Sequence, residues 1–139
     1  MALPPVSGIL ETGIYVENVG RSRDFYERVF GFEVIFADQR MCTLAVAPAQ
    51  VLIIFKRGGA VKPVRVRDSV IPPHDGSGRQ HFAFAIAAAD LDSWRDRLKA
   101  ENIAVESTVT WPAGGTSLYF RDPDGHLVEL ATPGLWKNY

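Results

Sequence analysis

The apolar and polar positions fall into short segments that repeat in one order. Ile9-Leu-Glu-Thr-Gly-Ile-Tyr-Val16 is rich in strand-forming residues and predicts a first strand. Arg21–Phe30 then sets Phe25 four residues before Val29 and Tyr26 four before Phe30, the spacing of one helix face. Asn18 suits the N-cap of that helix, and Gly31 stands where a terminating glycine belongs. Phe32–Phe36, Met41–Val46 and Val51–Phe55 follow as three short strands, with a turn at Pro48.

Residues 57–79 break the pattern. Gly58-Gly59, Pro63, Pro72-Pro73 and Gly76-Ser-Gly78 punctuate a stretch of little periodicity, which predicts a linker or lid-like loop. Its charges, Lys62, Arg65 and Arg67, are expected to keep it solvated. Then the order returns: a strand at His81–Ile86, a helix capped by Asp90 with Leu91, Trp94 and Leu98 on one face, and strands at Ser107–Thr110 and Ser117–Phe120. The last strand follows the hairpin signal Asp122-Pro-Asp-Gly125. Two β-α-β-β-β modules result, at residues 8–57 and 80–133, joined by 58–79. The expected fold class is α+β, in one domain spanning residues 1–139.

Composition narrows the function. At 139 residues, 47% hydrophobic and 22% charged, the chain is long enough for a real core. A net charge of −1 offers no electrostatic footprint for nucleic acid or an anionic membrane. The single cysteine, Cys42, excludes an internal disulfide and a cysteine-cluster metal site, and suits a reducing cytoplasm. Neither a signal peptide nor a membrane-spanning apolar run is apparent, so a cytoplasmic protein is expected.

The closing strand poses the chemical question. Leu127, Glu129 and Ala131 share one face, Val128 and Leu130 the other. Glu129 is thus a carboxylate in an apolar strand, expensive to bury unless something positive or hydrogen-bonding meets it.

Three motifs in this order resemble the vicinal oxygen chelate superfamily, which comprises glyoxalases, bleomycin resistance proteins and extradiol dioxygenases. They are Arg21-Ser-Arg-Asp-Phe-Tyr-Glu-Arg-Val-Phe-Gly-Phe32, Gly78-Arg-Gln-His-Phe-Ala-Phe84 and Phe120-Arg-Asp-Pro-Asp-Gly-His-Leu-Val-Glu-Leu130. The resemblance covers roughly residues 8–136. It implies paired βαβββ modules whose eight strands form a curved mixed sheet around a cleft, with metal ligands on the first and fourth strands of the modules. Carried over by position, the ligands are Glu11, His81 and Glu129, and the fourth corner falls near Ile54, which cannot ligate.

An imidazole with two carboxylates suits a divalent cation; zinc, nickel, manganese, iron and magnesium are not distinguished. A small substrate with adjacent oxygens would chelate such an ion, which would polarise its carbonyl. Glu11 or Glu129 would serve as base in a proton transfer, a glyoxalase-like lyase or isomerase chemistry. A metal-free, bleomycin-resistance-like binding protein is the alternative that the missing fourth ligand favours. An extradiol dioxygenase is a further one, although Glu11 stands where that class has its second histidine. The resemblance also implies a homodimer.

Each residue has a plainer reading. Glu11 would otherwise be a solvated strand end, and His81 a satisfied core histidine. Trp111 and Tyr119 are softer candidates for covering or hydrogen-bonding a substrate, and His74 for reaching the site from its loop. His126 reads as a surface residue, Arg121 as a partner for Asp122 or Asp124 in the hairpin, and Tyr26 and Phe30 as core.

Overall fold

A computed structural model describes residues 2–139 as two compact units, one extending through Gly76 and the other Ser77–Tyr139. In the first, β1 (Glu11–Val16), α1 (Val19–Phe30), β2 (Glu33–Ala37), β3 (Met41–Ala47) and β4 (Gln50–Lys56) build a sheet of order β1-β4-β3-β2. β1 runs parallel to β4, and the other pairs are antiparallel. In the second, β7 (His81–Ala85), α2 (Leu91–Ala100), β8 (Ser107–Thr110), β9 (Thr116–Arg121) and β10 (Leu127–Ala131) repeat the plan as β7-β10-β9-β8, again with one parallel pair, β7 with β10. The expected α+β pair of βαβββ modules is what forms.

Local chemistry explains the first helix. Asn18 Oδ1 accepts the Arg21 backbone N–H at 2.9 Å and so caps one of the orphan donors of the first turn. Gly31 ends the helix at φ 69°, a left-handed conformation in which glycine carries no Cβ penalty. The second helix is capped differently from expectation. Asp90 closes a 3₁₀ turn at Ala88–Asp90 with φ −96° and ψ 0°, and its side chain makes no capping bond. A capping carboxylate needs an extended backbone to reach the next N–H groups, and this turn denies it that geometry.

Each sheet has two unlike faces, as strand alternation requires. In the first unit Ile14, Val16, Cys42, Leu44, Leu52 and Ile54 are all buried with Phe25, Tyr26 and Val29 of α1, which packs against β3 and β4. The opposite face carries Glu11, Gly13, Tyr15, Met41, Ile53 and Phe55 in matching register. In the second unit Leu118, Phe120, Val128 and Leu130 are buried along one face. His81, Ser117, Tyr119 and Glu129 alternate onto the other.

The stretch expected to be a linker or lid-like loop carries a small hairpin, β5 (Val64–Val66) with β6 (Ser69–Ile71). Its turn is Arg67-Asp68, with Arg67 at φ 55°. Lys62, Arg65 and Arg67 are exposed, as expected. No helix among the described residues is long and apolar enough to cross a membrane.

Candidate functional site

Glu129 is only 5% exposed, in the middle of β10. Two neighbours meet its carboxylate. Ser117 on β9 donates its hydroxyl to Oε2 at 2.5 Å. His81, at the start of β7, brings Nε2 to 3.3 Å from Oε1. Ser117 Oγ in turn accepts the Trp111 indole N–H at 2.8 Å. The chain Trp111–Ser117–Glu129–His81 therefore holds the carboxylate in one orientation. Tyr119 faces Glu129 across the β9–β10 pair, and its ring lies 6.2 Å from that of His81. Burial raises the Tyr119 pKa above its ordinary value, and the Glu129 charge adds to that, so the phenol keeps its proton.

The His81 ring is oriented by backbone. Its Nδ1 lies 2.9 Å from the Leu127 carbonyl oxygen, which can only accept, so Nδ1 carries a hydrogen. In the neutral ring Nε2 then presents a lone pair to a carboxylate oxygen. Two electron-rich atoms at 3.3 Å need a positive charge on or between them: a proton, or a metal ion. Two ligands of one metal with bonds of about 2.1 Å stand about 3.0 Å apart in octahedral and about 3.4 Å apart in tetrahedral geometry. An N–H anchored to a backbone carbonyl is also the usual outer support of a metal-bound histidine. His81 and Glu129 thus fit as two donors of a divalent cation site. Among the described residues, no group of three or more His, Cys, Asp or Glu side chains gathers to hold a metal.

Glu11 belongs to the first unit, where it is exposed at the start of β1. There it lines a cavity of about 240 Å³ together with Arg40, Met41, Ile53, Phe55 and His74. His74 Nδ1 and the Tyr15 hydroxyl are hydrogen-bonded at 2.6 Å. Burial, and secondarily the charge of Asp75, raises the Tyr15 pKa, so the phenol keeps its proton. A larger hollow of about 320 Å³ at the start of α1 is lined by Asn18, Arg23 and Lys56 among others and contains none of the candidate donors.

The empty fourth corner lies one residue from its expected place. Glu129 pairs with Ala83, two residues beyond His81. In the first unit the residue paired two beyond Glu11 is Ile53, opposite Gly13. Ile54 faces the helix and is fully buried in the core. Neither isoleucine can ligate, but Ile53 is the one on the site face.

Two further expectations are corrected. His126 is fully buried, not on the surface. Asp122 Oδ1 accepts from the backbone N–H groups of Asp124 and His126, which tightens the turn. The tightened turn places the His126 ring where its Nδ1 accepts the Gln80 N–H at 2.8 Å, one residue before His81. Arg121 pairs with Glu106 at 2.7 Å and donates to the Gly125 carbonyl, rather than binding Asp122 or Asp124. Side-chain alternation puts Arg121 on the sheet face toward Glu106, while Asp122 is engaged by backbone. The Ser117 link was not legible as chemistry, since a lone serine in a strand carries no signal. Its position two residues before Tyr119 on the Glu129 face was the only clue.

The model of the Glyoxalase/Bleomycin resistance protein/Dioxygenase superfamily matches residues 8–130. The metallothiol transferase FosB of Shouchella clausii (strain KSM-K16) is 26% identical over 129 residues, 91% of this chain and 81% of that protein. A crystal structure of lactoylglutathione lyase from Agrobacterium tumefaciens superposes with a TM-score of 0.87 at 32% identity, covering 96% of this chain and 99% of that one. A mutant of the fosfomycin resistance protein FosX of Listeria monocytogenes, complexed with Mn(II) and 1S,2S-dihydroxypropylphosphonic acid, shares the fold. Its TM-score is 0.65 at 22% identity, over 91% of this chain and 90% of that one. With the family model matched over residues 8–130, the chain belongs to the glyoxalase/bleomycin resistance protein/dioxygenase superfamily.

Proposed function

We propose that this protein is a divalent-metal-dependent enzyme acting on a small substrate that chelates through adjacent oxygens. The observation that carries the reading is the approach of His81 Nε2 to Glu129 Oε1, with the far side of each group already hydrogen-bonded. His81 and Glu129 would hold the metal. A bound metal would polarise a substrate carbonyl or other oxygen as a Lewis acid. Glu129, fixed by Ser117, suits a stationary donor. Protonated Tyr119 would donate a hydrogen bond to a substrate oxygen. Lyase or isomerase chemistry is the reaction class proposed for this arrangement. Addition of a thiol is a second chemistry for the same residues, supported by the metallothiol transferase relatives.

The protein is proposed to work as a homodimer, because β1 and β7 are edge strands of their sheets and such edges are usually covered. Elemental analysis of the purified protein beside His81→Ala and Glu129→Ala tests the metal site. Wild type is expected to carry close to one divalent ion per chain and each variant far less. Unchanged metal content in both would overturn the assignment. The metal-free binding protein is the second reading, favoured by the apolar Ile53 at the fourth corner and the stacked Tyr15 and Phe55 rings, 5.5 Å apart. It predicts full ligand affinity after chelation.

A further inference from the structure

The cavity of the first unit combines features that a substrate pocket needs and that a linker would not supply. One wall is the sheet face of Met41, Ile53 and Phe55. The other comes from the segment after β4, with Val64, Ile71 and His74. That segment is pinned at several points. Gly59 N–H bonds to the Lys56 carbonyl, Gly58 N–H to Asp75 Oδ1, and His74 N–H to the Ala60 carbonyl. Gly76 lies flat against Tyr15, where a Cβ would collide with the ring. The segment is therefore a fixed wall.

Within that wall the His74 ring is locked. It sits edge-on to Phe55 at 4.6 Å and to Tyr15 at 5.8 Å between ring centroids. Its Nδ1 is hydrogen-bonded to the Tyr15 hydroxyl, which leaves Nε2 as the ring nitrogen to meet a ligand. His74 thus lines an apolar cavity with a ring already held in place, which lowers the cost of ordering it when a ligand arrives. Arg40 lines the same cavity, and its guanidinium forms a long, exposed ion pair with Asp38 at 3.9 Å, beyond hydrogen-bond distance. Apolar walls with a few converging polar groups are the usual make-up of a small-ligand site, and about 240 Å³ lies below the roughly 300–1,000 Å³ of drug-sized ligands.

We propose that His74, in the tautomer in which Tyr15 donates to Nδ1 and Nε2 carries the hydrogen, and Arg40 are substrate-binding residues that recognise a single carboxylate on a small ligand whose apolar body lies against Met41, Ile53 and Phe55. Arginine and an imidazole N–H both donate to carboxylate oxygens, in charge-assisted bonds. Glu11 adds a negative charge to the same cavity, which disfavours ligands with a second anionic group. The inference names the substrate class for the function proposed above, and it rests on that reading only for what happens after binding.

Benzoate titrated by calorimetry into chelator-treated protein tests it. The metal-free state makes the outcome independent of His81 and Glu129. Wild type is expected to bind benzoate, with a change in the His74 ring resonances. His74→Phe, which keeps the aromatic edges, and Arg40→Gln, an exposed position, should each weaken benzoate about tenfold, the loss of one charge-assisted hydrogen bond. Benzyl alcohol should not respond to Arg40→Gln, and His81→Ala should leave benzoate binding intact. The proposal fails if wild type does not bind benzoate, or if Arg40→Gln and His74→Phe bind it as wild type does. It also fails if His81→Ala abolishes binding. Benzoate binding with no metal in the elemental analysis would leave the pocket standing and remove the metal enzyme.

Discussion

Ile53 and Glu129 occupy the same place in the two sheets: each lies on the fourth strand of its module, paired with the residue two beyond the module's first site-face residue. One sheet therefore carries a carboxylate and the other a methyl-bearing side chain at equivalent corners. Restoring the carboxylate tests the equivalence. Ile53 is 7% exposed, so Ile53→Glu buries an unpaired charge and should cost about 2–4 kcal/mol in metal-free protein. Since Glu11 lines the same cavity, part of that loss should return on adding Mn²⁺. Urea denaturation with and without the ion measures both effects. At Ile54 the same substitution should prevent folding outright and show no metal rescue.

The one-residue difference between Ile53 and Ile54 shows where reading the chain reached its limit. The modules, both helices, the caps at Asn18 and Gly31 and the faces of β10 were all legible, because each depends on local spacing. The register of β4 was not. Superposing the turns at Pro48 and Pro123 assumes equal loops, but β3 and β4 are joined through Pro48-Ala49 with a register shift between Ala45 and Ala47. The residues between β9 and β10 number five, from Asp122 to His126. A slip of one residue moves a side chain to the other face, and no local pattern within the apolar run Val51–Phe55 reports it. The β5–β6 hairpin was hidden for another reason. Pro63, Pro72 and Pro73 flank it and mimic a loop, while its turn depends on Arg67 in a left-handed conformation that arginine seldom advertises.

Ser117 is the second test. Its hydroxyl links Trp111 to Glu129 in the buried interior. Ser117→Ala leaves an indole N–H and a carboxylate oxygen without that partner, which should cost about 1–3 kcal/mol of stability. If Glu129 is a metal donor, losing its outer support should also weaken metal binding roughly 10–100-fold. Thermal melts and competition with a chromophoric chelator separate the two. A stability loss with unchanged metal affinity would mark Ser117 as packing alone.

His126 supports the same site from beneath. It is fully buried and accepts the N–H of Gln80, the residue before His81. His126→Phe keeps the ring but removes the acceptor, stranding that N–H, so a loss of about 1–3 kcal/mol is expected. His126→Asn returns an acceptor in a smaller side chain and should recover some of it. Hydrogen exchange at Gln80 and His81 amides checks the local effect, which should exceed any change at β2.

Alkaline pH provides the last test, because Tyr15, Tyr119 and Tyr139 all have raised pKa values, in each case chiefly through burial. A raised value means that the folded protein holds its phenolic protons more tightly than the unfolded chain. The resulting stability is fully present below the unfolded tyrosine pKa of about 10 and is lost as pH climbs through the higher folded values. Stability should therefore fall steeply above about pH 10. Tyr119→Phe removes one titrating group, and with it the repulsion between a phenolate and Glu129. That variant should lose less stability between about pH 9 and pH 11 than wild type does, whatever its stability at neutral pH. Urea midpoints across the range measure the slope. A slope equal to that of wild type would mean that Tyr119 titrates alike in the folded and unfolded chains, and that the Glu129 carboxylate does not act on it.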